Sequence, residues 1–371
     1  MRFLRPATVV ILTGLIYAAY VIAAFGSPLA LVTPGADFSP DEAFHYPNEG
    51  EGYDGQFVYY IARDPLNAAP LIDVPAYRYQ RILLPTLGFT LSFGQAALVP
   101  FALLAVNLAA LGLGTYLLGD IFASFRVSRW YALGYSLSLA ALGTTRLTLP
   151  EVLAYGLCIA GVWLLLRERL LLCAVMFALA ALARETTIVF AAGIGFYLLS
   201  QRKIGAAFTF GAVILVPFTL LQIALYAAFG SFGVGSGGGG ATGFEFIPFM
   251  GVIRILTVGG VEVFAALMAL IGPFVIFPTL WGLWRCWRDF RSETWSLYTW
   301  LLLFNSAIML FVPFSTYRET NGILRFIAGL IIAVILYAAH KRNRRALRYS
   351  TLWAITSVIL VYSDIVLVGE M

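Results

Sequence analysis

Long apolar runs separated by short polar segments make up most of this chain. Eleven runs are candidate membrane-spanning helices, at residues 7–26, 96–119, 129–145, 150–166, 170–183, 186–200, 204–228, 261–284, 295–313, 322–339 and 349–367. A shorter apolar segment at 82–93 precedes the second run. Since roughly 18 or more successive apolar residues indicate a transmembrane helix, the pattern predicts one polytopic all-α transmembrane bundle over residues 1–371.

The composition is typical of a membrane protein, and it limits the kinds of metal site that the chain can form. Hydrophobic residues make up 61% of the chain and charged residues only 12%, against about 25% charged in a soluble domain. The two histidines and three cysteines show no metal-ligand spacing, which argues against a histidine-based metal centre. Carboxylates at Asp41, Glu42 and Asp54 remain candidate oxygen ligands for Mg²⁺ or Mn²⁺.

The basic residues predict an orientation. If the N-terminus is cytoplasmic, the cytoplasmic loops hold 16 of the 24 Lys and Arg residues, including both lysines. This is the distribution that the positive-inside rule expects. The net charge of +5 therefore reflects topology and does not indicate a nucleic-acid partner.

The opposite face carries arginine without lysine, together with most of the acids. Its polar segments include "TTRLTLPE" with Arg146 and Glu151, "LARETT" with Arg184 and Glu185, and "STYRETNGILRF" with Arg318, Glu319 and Arg325. A single arginine of this kind is typical of an interfacial side chain or of a pair between helices. The whole set favours recognition of an anion such as phosphate, which suits the guanidinium fork.

The longest polar segment is the first outer loop, residues 27–80. Within it, "DGQFVYYIARDP" predicts a short helix with Phe57, Tyr60 and Ile61 on one face and Pro65 just beyond its end. Its aromatic character predicts that this helix lies in the membrane interface. Asp54 stands at the N-cap position, so its carboxylate has two interpretations, a simple helix cap or a reactive group.

Two arginines follow in "PAYRYQRILLP", at the beginning of the apolar segment 82–93. Arg78 and Arg81 are three residues apart and share a helix face. Tyr77 and Tyr79 flank Arg78. The pattern is consistent with an aromatic belt or with a phosphate clamp at headgroup depth.

The sequence "YDGQF" at 53–57, followed by "YYIA" at 59–62, resembles the first outer loop of the GT-C superfamily of integral-membrane glycosyltransferases. The later "YRYQRILLP" and "ARET" are similar to bacterial members that build cell-surface glycopolymers. The resemblance implies an acid in the first outer loop as catalytic base, which the match places at Asp54. An acidic pair soon after the first span, here Asp41 and Glu42, is the alternative.

The resemblance further implies a polyprenyl-phosphate-linked sugar as donor and a glycan, lipid or protein of the cell envelope as acceptor. Transfer of a hexose or pentose would take place on the outer face of the bacterial cytoplasmic membrane. The residues expected to bind the donor phosphate are Arg78, Arg81, Arg184 and Arg325. The further candidates for substrate binding are Tyr53, Gln56, Tyr60, Glu185, Arg318 and Glu319.

Other functions stay open at this point. A transporter or flippase of a lipid-linked saccharide is the main alternative, although no convincing internal repeat is visible and the centres of the spans are nearly free of charge. A non-catalytic assembly protein is another. The Gly-rich outer loop at 229–260, with "FGSFGVGSGGGGATGF" at its beginning, is interpreted as a connector or as a lid over the site.

Overall fold

The computed structural model describes residues 5–48 and 50–370, and every regular element in these ranges is helical. The α-helices are α1 (Pro6–Phe25), α2 (Gly55–Arg63), α3 (Pro75–Tyr79), α4 (Leu83–Ser92), α5 (Val99–Ser124), α6 (Leu133–Ser136), α7 (Thr144–Arg146), α8 (Glu151–Leu165), α9 (Leu170–Ala183), α10 (Ile188–Ser200), α11 (Ile204–Phe229), α12 (Met250–Ile271), α13 (Phe277–Arg291), α14 (Leu297–Ala307), α15 (Phe314–Arg318), α16 (Thr320–Phe326), α17 (Ala328–His340), α18 (Arg344–Ser350) and α19 (Ser357–Glu370). The predicted all-α class is confirmed.

Several of these helices are long and apolar enough to cross a membrane. Within the described ranges they form five stretches, Pro6–Phe25, Ala96–Ser124, Ile204–Phe229, Met250–Arg291 and Arg344–Gly369. The pair α16–α17, bent by 41° at its break, makes a sixth stretch if it is one span. The predicted count of eleven is not reached, because the remaining apolar helices have only 10–17 residues and a membrane core needs about 20.

The run at 129–145 differs most from the prediction of a single helix. It divides into a 3₁₀ turn, α6, a π-helical turn and α7. Gly134 lies against the backbone of the chain's C-terminal part, where an added Cβ would stand 2.5 Å from the Ser350 carbonyl oxygen. The hydroxyls of Ser138 and Thr144 also donate to nearby carbonyls, which competes with regular helical bonding. The segment is therefore broken where it packs closely.

Helix α17 forms the centre of the bundle. All residues from Ala328 to Ala339 are buried, and α17 packs against α5, α8, α13, α14 and α18. A helix that is apolar on every side is stable only inside other helices. Helix α16, residues 320–326, directly precedes α17. It supplies part of the site described below.

Two polar ends lie at opposite sides of the bundle. At the basic end, Arg342 donates to the Phe125 carbonyl oxygen over 3.0 Å, and Lys341 pairs with Asp289 at 3.0 Å. The loop end holds residues 27–80 with α2 and α3. Arg342 and Lys341, both predicted on the cytoplasmic side, thus lie beyond the C-terminal end of α5, near Phe125 and Asp289.

Helix α2 is buried on all sides, unlike the predicted interfacial helix. Every residue from Gly55 to Ala62 is buried. The preceding loop folds onto it, since the Tyr53 amide donates to the Thr33 carbonyl and the Phe38 and Phe57 rings meet edge to face at 4.9 Å. The aromatic residues that suggested a membrane interface instead pack within the protein, so α2 fixes the position of Asp54.

Candidate functional site

Asp54 joins two distant parts of the chain through its carboxylate. It precedes α2 but makes no side-chain cap, because its oxygens bind arginines. Its Oδ1 lies 2.9 Å from Arg78 Nη1, and its Oδ2 accepts a 2.9 Å hydrogen bond from Arg325 Nη1. Burial disfavours the charged carboxylate, but these two guanidinium groups outweigh it and hold the pKa of Asp54 well below its usual range.

A cleft opens beside this ion pair. It is narrow, with a cavity volume of about 20 Å³, which is room for about one water molecule. Its polar lining comes from Asp54, Arg78, Arg81, Glu151 and Arg325. Its apolar lining comes from Phe57, Val58, Ile61, Pro85, Leu149 and Pro150. A few convergent charged groups in a mainly apolar concavity are typical of a ligand site.

The cleft is recessed into the bundle. Leu149, which lines the cleft, accepts a hydrogen bond from Asn107. Asn107 lies eight residues after Val99, where α5 begins, which corresponds to about 12 Å along the helix. The part of the cleft at Leu149 therefore lies about two helical turns from the loop-end terminus of a helix long enough to span a membrane.

Arg78 is shared between two carboxylates. Its Nε and Nη2 donate to the two oxygens of Asp73, each over 2.8 Å, while Nη1 faces Asp54. Its guanidinium also lies 4.3 Å from the centre of the Phe57 ring, a cation–π arrangement. Burial works against ionisation of Asp73, yet the bonds from Arg78 keep the pKa of that carboxyl below its ordinary value.

Arg81 makes the same kind of paired contact with another segment. It donates to the two oxygens of Glu185 over 3.0 and 2.7 Å, and to the Tyr77 hydroxyl over 2.7 Å. Two parallel bonds of this kind fix the guanidinium plane. Arg78 and Arg81 both line the cleft, but they do not share a helix as predicted, since α3 ends at Tyr79 and Arg81 lies in the turn before α4.

Arg184 lies behind the cleft. It pairs with Glu151 and is not among the residues that line the cleft. Glu151 also lies 3.7 Å from Arg325, measured from its Oε1 to Nη1. Arg184 thus contacts the cleft through the Glu151 carboxylate.

The predicted phosphate-binding arginines are already paired with acids. Arg78, Arg81, Arg184 and Arg325 each contact at least one carboxylate within 4 Å. The carboxylates involved are Asp54, Asp73, Glu151, Glu185 and Glu319. The cluster has no excess of positive charge, so an anionic ligand has to exchange with a carboxylate.

Tyr53 and Glu319 form the rim beside Arg325. The Tyr53 hydroxyl donates to Glu319 over 2.8 Å, and the Arg325 guanidinium lies 5.0 Å from the centre of the Tyr53 ring. Half of the Glu319 side chain is exposed. Arg318 is exposed and stacks only on Phe314 at 5.8 Å, so it stays at the surface.

Gln56 and Tyr60, predicted to bind substrate, bond within the protein instead. The Gln56 amide oxygen accepts from the Gly35 amide over 2.8 Å, and its nitrogen donates to the Glu51 carbonyl. Tyr60 is 1% exposed. Neither residue lines the cleft. Gln56 holds the first loop against α2, and the Tyr60 hydroxyl lies 3.5 Å from the Gln56 amide oxygen.

Asp41 and Glu42 lie apart from Asp54. Asp41 is exposed, and Glu42 pairs with Arg63 at the far end of α2. Among residues 5–48 and 50–370, no three His, Cys, Asp or Glu side chains lie together as potential metal ligands. The three carboxylates considered for Mg²⁺ or Mn²⁺ therefore do not form a common ligand set in this structure.

The Gly-rich segment covers one edge of the site. The Gly239 amide donates to Asp73 Oδ2 over 2.9 Å, and a Cβ at Gly238 would stand 2.9 Å from Arg78 Nη2. The loop is shorter than the predicted 229–260, since α12 begins at Met250 and contains a kink at Gly260. The segment packs beside the Arg78–Asp73 pair.

Two acids of the site were not among the predicted site residues. Asp73 gives no local signal, because it lies outside the helix that carries Arg78. Glu151 begins α8, where an acid is also favoured by the helix dipole. Its role becomes visible only when α8, α9 and α16 come together.

The comparisons with known proteins add no relative from which a role can be transferred. No protein-family model, no curated protein and no solved structure matches this chain.

Proposed function

We propose that this protein is a membrane glycosyltransferase that uses a polyprenyl-phosphate-linked sugar and transfers it to an acceptor hydroxyl in the recessed cleft. The observation that carries the proposal is the Asp54 carboxylate held between Arg78 and Arg325 at 2.9 Å on each side. One acid and two converging guanidinium groups, set among apolar helices, are the groups that such a reaction needs. The resemblance of "YDGQF" at 53–57 to GT-C enzymes supports the same chemistry.

The arginine pair suits a lipid phosphate. The Asp54 carboxylate contacts both guanidinium groups, those of Arg78 and Arg325. A phosphate carries at least as much negative charge and more acceptor oxygens than a carboxylate, so it competes for the same donors. The apolar cleft wall, with Phe57, Ile61 and Pro85, provides an apolar surface for the beginning of a prenyl chain.

Phosphate binding and base activation are linked in this arrangement. While Arg78 and Arg325 hold Asp54, its low pKa makes it a weak base. A phosphate that takes over the guanidinium groups weakens their hold on the carboxylate, and the proton affinity of Asp54 rises. The base is therefore activated when the donor is bound.

The transfer step follows from these roles. The acceptor hydroxyl attacks the anomeric carbon and gives its proton to Asp54. The bond from that carbon to the phosphate oxygen breaks, and its electron pair stays with the phosphate. Arg78, Arg81 and Arg325 stabilise the charge that develops there, and bare polyprenyl phosphate is released.

The proposed orientation has the N-terminus in the cytoplasm and the cleft at the outer face of the bacterial cytoplasmic membrane. The concentration of Lys and Arg at the end that holds Arg342 and Lys341 supports it. Eleven crossings would require that the 10–17-residue helices also cross. Acceptors of the cell envelope, whether glycan, lipid or protein, are then on the same side as the cleft.

A release assay tests the function. The purified protein in nanodiscs receives radiolabelled polyprenyl-phosphate hexoses and pentoses together with an acceptor fraction from bacterial envelopes. We expect release of polyprenyl phosphate, reduced about 10²-fold or more in Asp54→Asn. The matched control is Asp64→Asn, an exposed acid at the other end of α2, which should retain full activity. Movement of the lipid-linked sugar across the bilayer without transfer would instead establish the flippase alternative.

A further inference from the structure

Glu151 presents an unused acceptor at the cleft. Its side chain is fully buried, and it lines the cleft at the beginning of α8. Arg184 donates to Oε1, but Oε2 has no hydrogen-bond partner among the described residues. A buried carboxylate oxygen without a partner is costly, and native structures contain few such groups.

Arg325 presents an unused donor in the same place. Its side chain is 9% exposed, and its Nη1 donates to Asp54. Its Nε–H is buried and has no partner in the described part of the chain. Arg325 Nη1 lies 3.7 Å from Glu151 Oε1, so the free acceptor and the free donor belong to neighbouring side chains of one cleft.

We propose that Glu151 Oε2 and Arg325 Nε together bind a hydroxyl group of the transferred sugar. A hydroxyl both donates and accepts, so it donates to the Glu151 carboxylate and accepts from the Arg325 guanidinium. A phosphate is repelled by Glu151, and an ammonium group has no lone pair for Arg325. The inference rests on the proposed function and adds a sugar subsite beside the phosphate position of Arg78 and Arg325.

The subsite predicts discrimination between two lipids that share a phosphate. Bare polyprenyl phosphate uses the arginines alone, whereas polyprenyl-phosphate sugars also reach Glu151. Hydrogen bonds to a charged group contribute enough that losing one lowers affinity about tenfold or more. Glu151 should therefore determine the additional affinity for the sugar-bearing lipid. Because its charge repels a phosphate, removing that charge should not weaken binding of the bare lipid.

The experiment measures affinities of the full-length protein in nanodiscs for bare polyprenyl phosphate and for polyprenyl-phosphate hexoses and pentoses. For Glu151→Gln we expect affinity for the preferred sugar lipid to fall about tenfold or more, to the level of the bare lipid. For Arg78→Ala we expect both affinities to fall together. Retention of the sugar preference by Glu151→Gln would overturn the subsite and indicate that water alone fills the position.

Two further outcomes separate this inference from the proposed function. If the wild-type protein binds bare and sugar-bearing lipids equally, the sugar subsite is wrong while the phosphate site stands. If it binds neither, both proposals fail. Should Glu151→Gln not fold because Arg184 loses its counter-ion, the double variant Glu151→Gln/Arg184→Met removes both charges. That variant must show the same selective loss, and an equal loss for both lipids would overturn the inference.

Discussion

Arg78 holds Asp54 through one nitrogen and Asp73 through two others. The Nη1–Oδ1 distance to Asp54 is 2.9 Å, and the two bonds to Asp73 are 2.8 Å each. Since the guanidinium is planar, its contact with Asp73 fixes the direction in which Nη1 points at Asp54. Asp73 therefore orients the arginine that orients the candidate base.

Arg78→Lys should expose this dependence on planar geometry. An ammonium group keeps the charge but cannot reproduce the paired contact with Asp73 and also reach Asp54. We expect affinity for bare polyprenyl phosphate to fall about tenfold, and Arg78→Ala to weaken it further. Arg254→Lys is the matched control, because Arg254 is 43% exposed and pairs only with Glu245. Equal affinities of wild type and Arg78→Ala would move the phosphate position elsewhere in the cleft.

The pKa of Asp54 predicts a pH window for stability. Because the folded pKa is depressed, the charged carboxylate stabilises the fold at pH values above the unfolded pKa of about 3.9. That contribution is lost as the pH falls through the lower folded value. Wild type should therefore melt above Asp54→Asn by a constant margin from about pH 5 to 8, and the margin should shrink below about pH 4.

Thermal melts in detergent measure this margin. Asp41→Asn serves as control, since Asp41 is exposed and makes no ion pair in the described ranges. Its melting temperature should follow wild type at every pH. A margin for Asp54→Asn that disappears near neutral pH would show that Asp54 is not held ionised by the two arginines.

The sequence predicts the helices near the site, but it does not predict which charged residues of the site form ion pairs. The helix after Asp54 and the helix at 170–183 agree with the structure. Local periodicity and turn residues carry that information. The pairs Asp54–Arg325 and Arg81–Glu185 bridge segments far apart in the chain, and no local pattern encodes them.

The same limit explains the predictions that differ from the structure. Gln56 and Tyr60 have polar groups that suit a ligand, yet Gln56 bonds to the folded loop and the Tyr60 hydroxyl faces Gln56 within α2. The apolar run at 129–145 has the composition of a span, but contacts such as Gly134 against Ser350 break it. Composition predicts that these residues are buried. Their hydrogen bonds and the break in the helix depend on which other segment packs against them.

The proposed orientation predicts one-sided labelling of introduced cysteines. Ser231 lies in the Gly-rich segment at the loop end and Arg345 at the basic end, and both are exposed. In a background with Cys158, Cys173 and Cys286 replaced, an impermeant thiol reagent on intact cells should label Ser231→Cys and spare Arg345→Cys. Permeabilised cells provide the control, because both positions should then react. Labelling of Arg345→Cys alone in intact cells would reverse the orientation and place the cleft in the cytoplasm.

A second ion pair, between Arg146 and Asp364, connects the C-terminal helix α19 to the loop end. Arg146 donates to Asp364 over 2.9 and 2.6 Å, with side chains only 1% and 0% exposed. The hydroxyls of Tyr17 and Tyr46 donate to the same carboxylate, each over 2.7 Å. The network therefore ties α1, the first loop and α7 to α19.

Removing one partner of this network should be far more harmful than removing both. Asp364→Asn leaves a buried guanidinium without its counter-ion, which costs about 3–5 kcal/mol. The double variant Arg146→Met/Asp364→Leu removes both charges and should recover most of the loss. The matched control is Asp120, which is 29% exposed and pairs with the exposed Arg129 and Arg167. Asp120→Asn keeps an oxygen for the Trp163 indole that donates to it and should cost less than about 1 kcal/mol. Melting temperatures in detergent measure the stability of all three variants. A double variant as unstable as Asp364→Asn would mean that the tyrosine hydrogen bonds, and not the ion pair, hold α19 to the loop end.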